Sequence, residues 1–226
     1  MIYLALILLE LVALLLFAMI IPSLLVQIFY YFTKSHRVSI WLLSIIVLPG
    51  TLVHELAHLL TAGAMLVNVG EISLWPEIKE HGVKLGHVEI QKTDFIRRAL
   101  IGFAPVFFGM GILVGGISLA NNYYFQHGQY PIWLVLILFY LVVVIGNTMF
   151  SSRKDLEGTL GFVVLFISIA GAVYFLGWDE LFAKLKQNLV ENHLGFYQNF
   201  AYFLAVPVLG DILVYLLAKL LVKRMY

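Results

Sequence analysis

Six stretches of this chain, 2–32, 38–65, 95–120, 131–150, 156–178 and 196–222, are predominantly apolar for twenty residues or more. Each matches the roughly 20 residues that carry an α-helix across the hydrocarbon of a bilayer. A soluble domain cannot hide that many runs in one core. It also keeps about a quarter of its residues charged to cover its surface, whereas only 12% of the 226 residues are charged here. Lipid is the solvent this sequence expects. The predicted fold class is an all-α membrane protein of about six transmembrane helices, one integral domain over 1–226, multi-pass in the cell membrane. Pro22, Pro105 and Pro207 fall inside the runs. They should kink their helices, which bundles tolerate when neighbours satisfy the freed carbonyls.

The charges exclude some partners. Fourteen Lys and Arg stand against 13 Asp and Glu, a formal net charge of +1, which gives no field to recruit nucleic acid or an acidic ligand. The absence of Cys means that any metal site must be built from imidazole and carboxylate. The segment 1–32 lacks a basic n-region and an A-x-A cleavage signature, so it reads as a retained transmembrane helix. If the N-terminus starts in the cytoplasm and the helices alternate, ten basic residues lie inside: Lys79, Lys84, Lys92, Arg97, Arg98, Arg153, Lys154, Lys219, Lys223 and Arg224. Four, Lys34, Arg37, Lys184 and Lys186, lie outside, an imbalance that favours this orientation.

The segment 66–94 breaks the apolar pattern. Its charges are dense and balanced, and its apolar residues alternate: Val69, Ile72 and Leu74, then Val83, Leu85, Val88 and Ile90. A period near two predicts a small β-hairpin between the second and third spans, on the cytoplasmic side beside the second helix. Trp75 and Pro76 would end a strand, and Gly82 and Gly86 would loosen the other. An irregular amphipathic loop is the alternative.

Within the second span runs Gly50-Thr51-Leu52-Val53-His54-Glu55-Leu56-Ala57-His58, an H-E-x-x-H. Residues four apart share a helix face, so two imidazoles reach one tetrahedral ion while Glu55 flanks the open site. Zinc lowers the pKa of its water toward about 7, and a neighbouring carboxylate takes that proton and passes it to the leaving amine. A structural polar cluster is the competing reading. One charge at the bilayer centre already costs about 2.5 to 3.5 kcal/mol on insertion scales, so three ionisable groups in one turn need a strong reason. A catalytic zinc takes a third protein ligand. Among Glu10, Asp155, Glu157, Asp179, Glu180 and Asp211, Asp155 is favoured because it follows the fourth span at the depth toward which His54 and His58 are displaced, with Glu157 in reserve. Ser152 and Asp155 also read as the capped, acidic first turn of a fifth helix.

These residues resemble the intramembrane site-2 protease family, whose core carries H-E-x-x-H in one transmembrane helix and N-x-x-P-x-x-x-L-D-G near the end of another. The run from Asn147 to Asp155 keeps the Asn and Asp eight residues apart, with Phe150, Lys154 and Leu156 replacing the family's Pro, Leu and Gly. Gly102-Phe103-Ala104-Pro105 is similar to the Gly-Pro-containing third core helix. The resemblance covers a protease core of about 38–157. It implies zinc held by His54, His58 and Asp155, catalysis by Glu55, and binding of the substrate backbone by Asn147. The competing role for Asn147 is an interhelical hydrogen bond.

The function expected is an intramembrane zinc metalloendopeptidase acting on membrane-anchored proteins. The alternative is a non-proteolytic zinc-binding or transport protein, or a pseudoprotease. His36, His81, His87, His127 and His193 read as solvated or interfacial, Glu10 and Asp211 as helix-pairing groups, and 179–192 as an interfacial amphipathic helix.

Overall fold

The computed structural model describes residues 2–79, 82–149 and 194–225, together with positions 164, 168, 169, 171, 172 and 175. Helices α1 (Ile2–Thr33) and α2 (His36–Ala64) form an antiparallel pair. The chain reverses at Lys34, in left-handed backbone (φ 53°), and Ser35 caps α2. Helix α3 (Phe95–His127) starts on Asp94, whose carboxylate accepts from the Arg97 amide at 3.0 Å and pairs with the Arg97 guanidinium at 3.3 Å. That amide bond and then the Arg97 charge hold the Asp94 carboxyl below its ordinary range. Helix α3 ends at Gly128, left-handed with φ 72°, and α4 (Ile132–Thr148) and α5 (Leu194–Met225) complete the bundle.

Among the described residues four helical stretches are long and apolar enough to cross a membrane: Ala5–Thr33, His36–Ala64, Phe95–His127 and Tyr197–Met225. The predicted fourth span appears as α4, a shorter apolar helix of 17 residues, about 26 Å long and at the lower limit for a crossing. The predicted fifth span, 156–178, and the amphipathic segment 179–192 lie outside the described residues. Among the described residues the structure is thus mainly helical, with four helices long and apolar enough to cross a membrane, and one of the six expected spans lies outside those residues.

The predicted hairpin forms, in two parts. Strands β1 (Val69–Ser73) and β4 (His87–Ile90) pair antiparallel, with Ile72 opposite Val88 and Ser73 opposite His87. Strands β2 (Glu77–Lys79) and β3 (Gly82–Lys84) pair beyond them, with Ile78 opposite Val83. The hairpin runs back along α2. Val69 and Ile90 pack with Ala62 and Ile101, Leu85 reaches Leu43 and Val47, and the Trp75 ring meets Trp41 at 5.6 Å. Trp41 lies 13 residues before His54, about 20 Å along the helix.

Glycines bring the helices together. A Cβ at Gly50 on α2 would collide with Thr148 Oγ1 and meet the Val144 carbonyl at 2.7 Å, so the last turn of α4 lies directly on α2 one turn before His54. Gly109 admits Met149 between α3 and α4, and Gly146 and Gly210 let α4 meet α5 at Pro207 and Val143. Small residues at such crossings let membrane helices approach closely.

Helix α5 runs parallel to α1. Tyr3 and Ile7 pack with Tyr197 and Ala201, Leu14 lies beside Pro207 at Gly146, and Phe17 meets Tyr215 at 6.0 Å. Six alternating crossings would have set these two helices antiparallel. The face reached by Lys34 and Arg37 therefore also receives Lys219, Lys223 and Arg224, while Lys92, Arg97 and Arg98 lie at the opposite face. The ten-to-four imbalance rested on strict alternation, and the parallel pair removes that support.

Candidate metal centre

The middle of α2 is polar on one side. Ser39, Ser44, Thr51, His54, Glu55 and His58 are all buried, and the hydroxyls of Ser44 and Thr51 donate to carbonyls one turn back. Such back-bonding removes the need for a partner elsewhere.

His54, Glu55 and His58 are 3%, 5% and 5% exposed. The two rings stand edge to face at 4.7 Å, and their Nε2 atoms approach to 3.2 Å. Two nitrogens bound to one tetrahedral zinc at its usual bond length lie about 3.3 to 3.4 Å apart. The i, i+4 spacing thus holds the two Nε2 atoms about as far apart as two ligands of one tetrahedral ion. His58 Nδ1 lies 2.9 Å from the Ile101 carbonyl. A carbonyl only accepts, so Nδ1 carries the hydrogen and Nε2 presents its lone pair, the arrangement that metal-ligating histidines adopt. This donor set fits zinc.

Glu55 faces the hairpin. A Cβ at Gly86 would stand 3.0 Å from Glu55 Oε1, 2.6 Å from Thr51 Cγ2 and 3.2 Å from the Ser73 carbonyl. Only a glycine lets the strands settle onto this part of α2. The carboxylate is therefore enclosed between its own helix and the β1–β4 sheet, beside the histidines.

Among the described residues no group of three His, Asp or Glu side chains is placed to hold an ion. Asp155 and Glu157 lie outside the described residues. The chain approaches them from a definite place. Thr148 sits against Gly50, and Met149, 2% exposed, packs in a cluster that includes Val53, next to His54.

Asn147 points elsewhere. Its Nδ2 donates to the Val143 carbonyl at 2.9 Å and to Asp211 Oδ1 on α5. Asp211 is fully buried, so the pairing expected for it is found, with Asn147 as the partner. Both amide hydrogens of Asn147 are engaged, and substrate binding through them would require this pair to open. Glu10 Oε2 is buried and has no hydrogen-bond partner among the described residues.

Sequence reasoning missed the Ile101 carbonyl and Gly86. Pro105 was a signal for the first, since it cannot donate to the carbonyl four residues back. Nothing local marks the second. Comparison with protein-family models, curated proteins and solved structures returns no match.

Proposed function

We propose that this protein is an intramembrane zinc metalloprotease, similar to the site-2 proteases, that hydrolyses peptide bonds of membrane-anchored proteins. The observation that carries the proposal is the buried His54–His58 pair, with Nε2 atoms 3.2 Å apart and Nδ1 of His58 fixed on a carbonyl, in a helix of spanning length. Zinc, when bound, supplies a Lewis acid that polarises water and the scissile carbonyl. His54 and His58 hold it, with Asp155 as third ligand. Asp155 is the sixth residue after Met149, a reach of up to about 20 Å, enough to return to His54. Glu55 takes the proton of the attacking water and delivers it to the leaving amine. A substrate helix must unwind before its amides can be attacked, and an outer edge of the two-stranded sheet beside Glu55 offers the extended segment replacement backbone hydrogen bonds.

Glu55→Gln tests this reading against a protein that only binds or transports zinc. The variant keeps the ligands and loses the base. Zinc content by elemental analysis should therefore match wild type, while cleavage of a membrane-anchored reporter falls by about 10² to 10⁴-fold. His58→Ala should lose the metal itself. Undiminished cleavage by Glu55→Gln would overturn the mechanism.

A further inference from the structure

Pro105 lies in α3 and is almost completely buried. In an α-helix the amide of residue i donates to the carbonyl of residue i−4, and proline has no amide hydrogen. The carbonyl left without its helical donor by Pro105 is that of Ile101. The ring also opens the local backbone and tilts that carbonyl outward. It meets His58 Nδ1 at 2.9 Å, across 43 residues of sequence, with both residues buried.

We infer that Pro105 is a positioning residue for the metal centre: by withholding an N–H from Ile101, it reserves that carbonyl to fix the tautomer and orientation of His58. This rests on the zinc reading only for its consequence. A free neutral imidazole prefers its hydrogen on Nε2, which would remove the lone pair that ligation needs. The Ile101 carbonyl reverses that preference before any metal arrives. A residue with an amide at 105 would compete for the carbonyl and draw it back into the helical ladder.

The test uses the full-length protein in detergent, labelled with ¹⁵N-histidine, and the Pro105→Ala variant. In metal-free wild type the His58 resonance, assigned by its loss in His58→Gln, should report hydrogen on Nδ1, and in Pro105→Ala it should shift toward Nε2. Zinc affinity, measured by competition with a fluorescent chelator, should fall about 10 to 100-fold in Pro105→Ala, the usual loss when a ligand's supporting contact is removed. Pro22→Ala, on α1, should leave both unchanged. Alanine is a better helix former than proline, so weaker binding by a folded Pro105→Ala protein is not an unfolding effect. An unchanged tautomer in Pro105→Ala would overturn the inference, as would a loss of affinity shared equally by Pro22→Ala. Wild type that binds no zinc would refute the metal reading, yet the tautomer comparison would still decide the role of Pro105.

Discussion

Asp211 and His58 show two ways a buried polar side chain is settled in an apolar bundle. His58 gives its Nδ1 hydrogen to a backbone carbonyl and turns its Nε2 toward that of His54. Asp211 instead accepts from Asn147 on a neighbouring helix, and its second oxygen, like Asn147 Oδ1, has no partner among the described residues. The first arrangement leaves a reactive atom beside another, whereas the second ties α4 to α5. Replacing Asp211 with Ala strands the Asn147 amide, and interhelical bonds of this type contribute about 0.6 to 1.7 kcal/mol. Asp211→Ala should lower the thermal midpoint in detergent by an amount in keeping with that loss while leaving zinc affinity within a factor of two or so, since His58 bonds to Ile101 and His54, whereas the Asn147–Asp211 bond joins α4 to α5. An equal collapse of metal affinity would show that the pair belongs to the metal centre. H-E-x-x-H was legible in the sequence because its geometry is set by five consecutive helical positions. The partners of His58 and Asn147 were not, because each lies more than 40 residues away and is chosen by how the helices cross.

The hairpin was legible as an element, because alternation of apolar residues fixes which face of a strand is buried. Its place beside the second helix was expected as well, but not how closely it lies along that helix. The contacts of Leu85 with Val47 and of Trp75 with Trp41 are made by side chains that would equally suit a loop outside the bundle. What admits the strands to α2 is the missing side chain at Gly86. In Gly86→Ala the new methyl meets Thr51 Cγ2 at 2.6 Å. Thr51 is β-branched and stiff at χ1, and the Ser73 carbonyl closes the other side at 3.2 Å. Overpacking of this kind costs about 1 to 3 kcal/mol, and the strands relieve it by lifting from α2. Amide hydrogen exchange over Val69–Ser73 and His87–Ile90 should therefore quicken at least several-fold in Gly86→Ala, with exchange in α2 and α3 unchanged. Protection equal to wild type would mean that the sheet tolerates the methyl and is not seated as described. In the proposed protease the same variant should lose cleavage, because the extended substrate is guided by this sheet.

At the scale of the whole molecule, apolar run length identified a membrane protein and located all four helices of spanning length, but it carried no direction for them. Hydropathy counts crossings and is blind to which helices lie side by side, and the ten-to-four charge count inherited its sidedness from strict alternation. The packing of Tyr3 with Tyr197, of Leu14 with Pro207 and of Phe17 with Tyr215 supplies what was missing: α1 and α5 point the same way. The start of α1 and the end of α5 must then face opposite sides of the bilayer. Because the chain has no cysteine, single substitutions report accessibility without a background. In intact cells treated with a membrane-impermeant maleimide, Arg37→Cys and Lys223→Cys should behave alike, both labelled or both protected. Lys92→Cys, at the opposite face where α3 begins, should do the reverse. Permeabilising the cells should label all three, which separates protection by the membrane from burial in the protein. Labelling of Lys223→Cys together with Lys92→Cys, and not with Arg37→Cys, would mean that α5 is inverted. The packing of α1 on α5, and with it the position of α4 against the histidines, would then have to be redrawn.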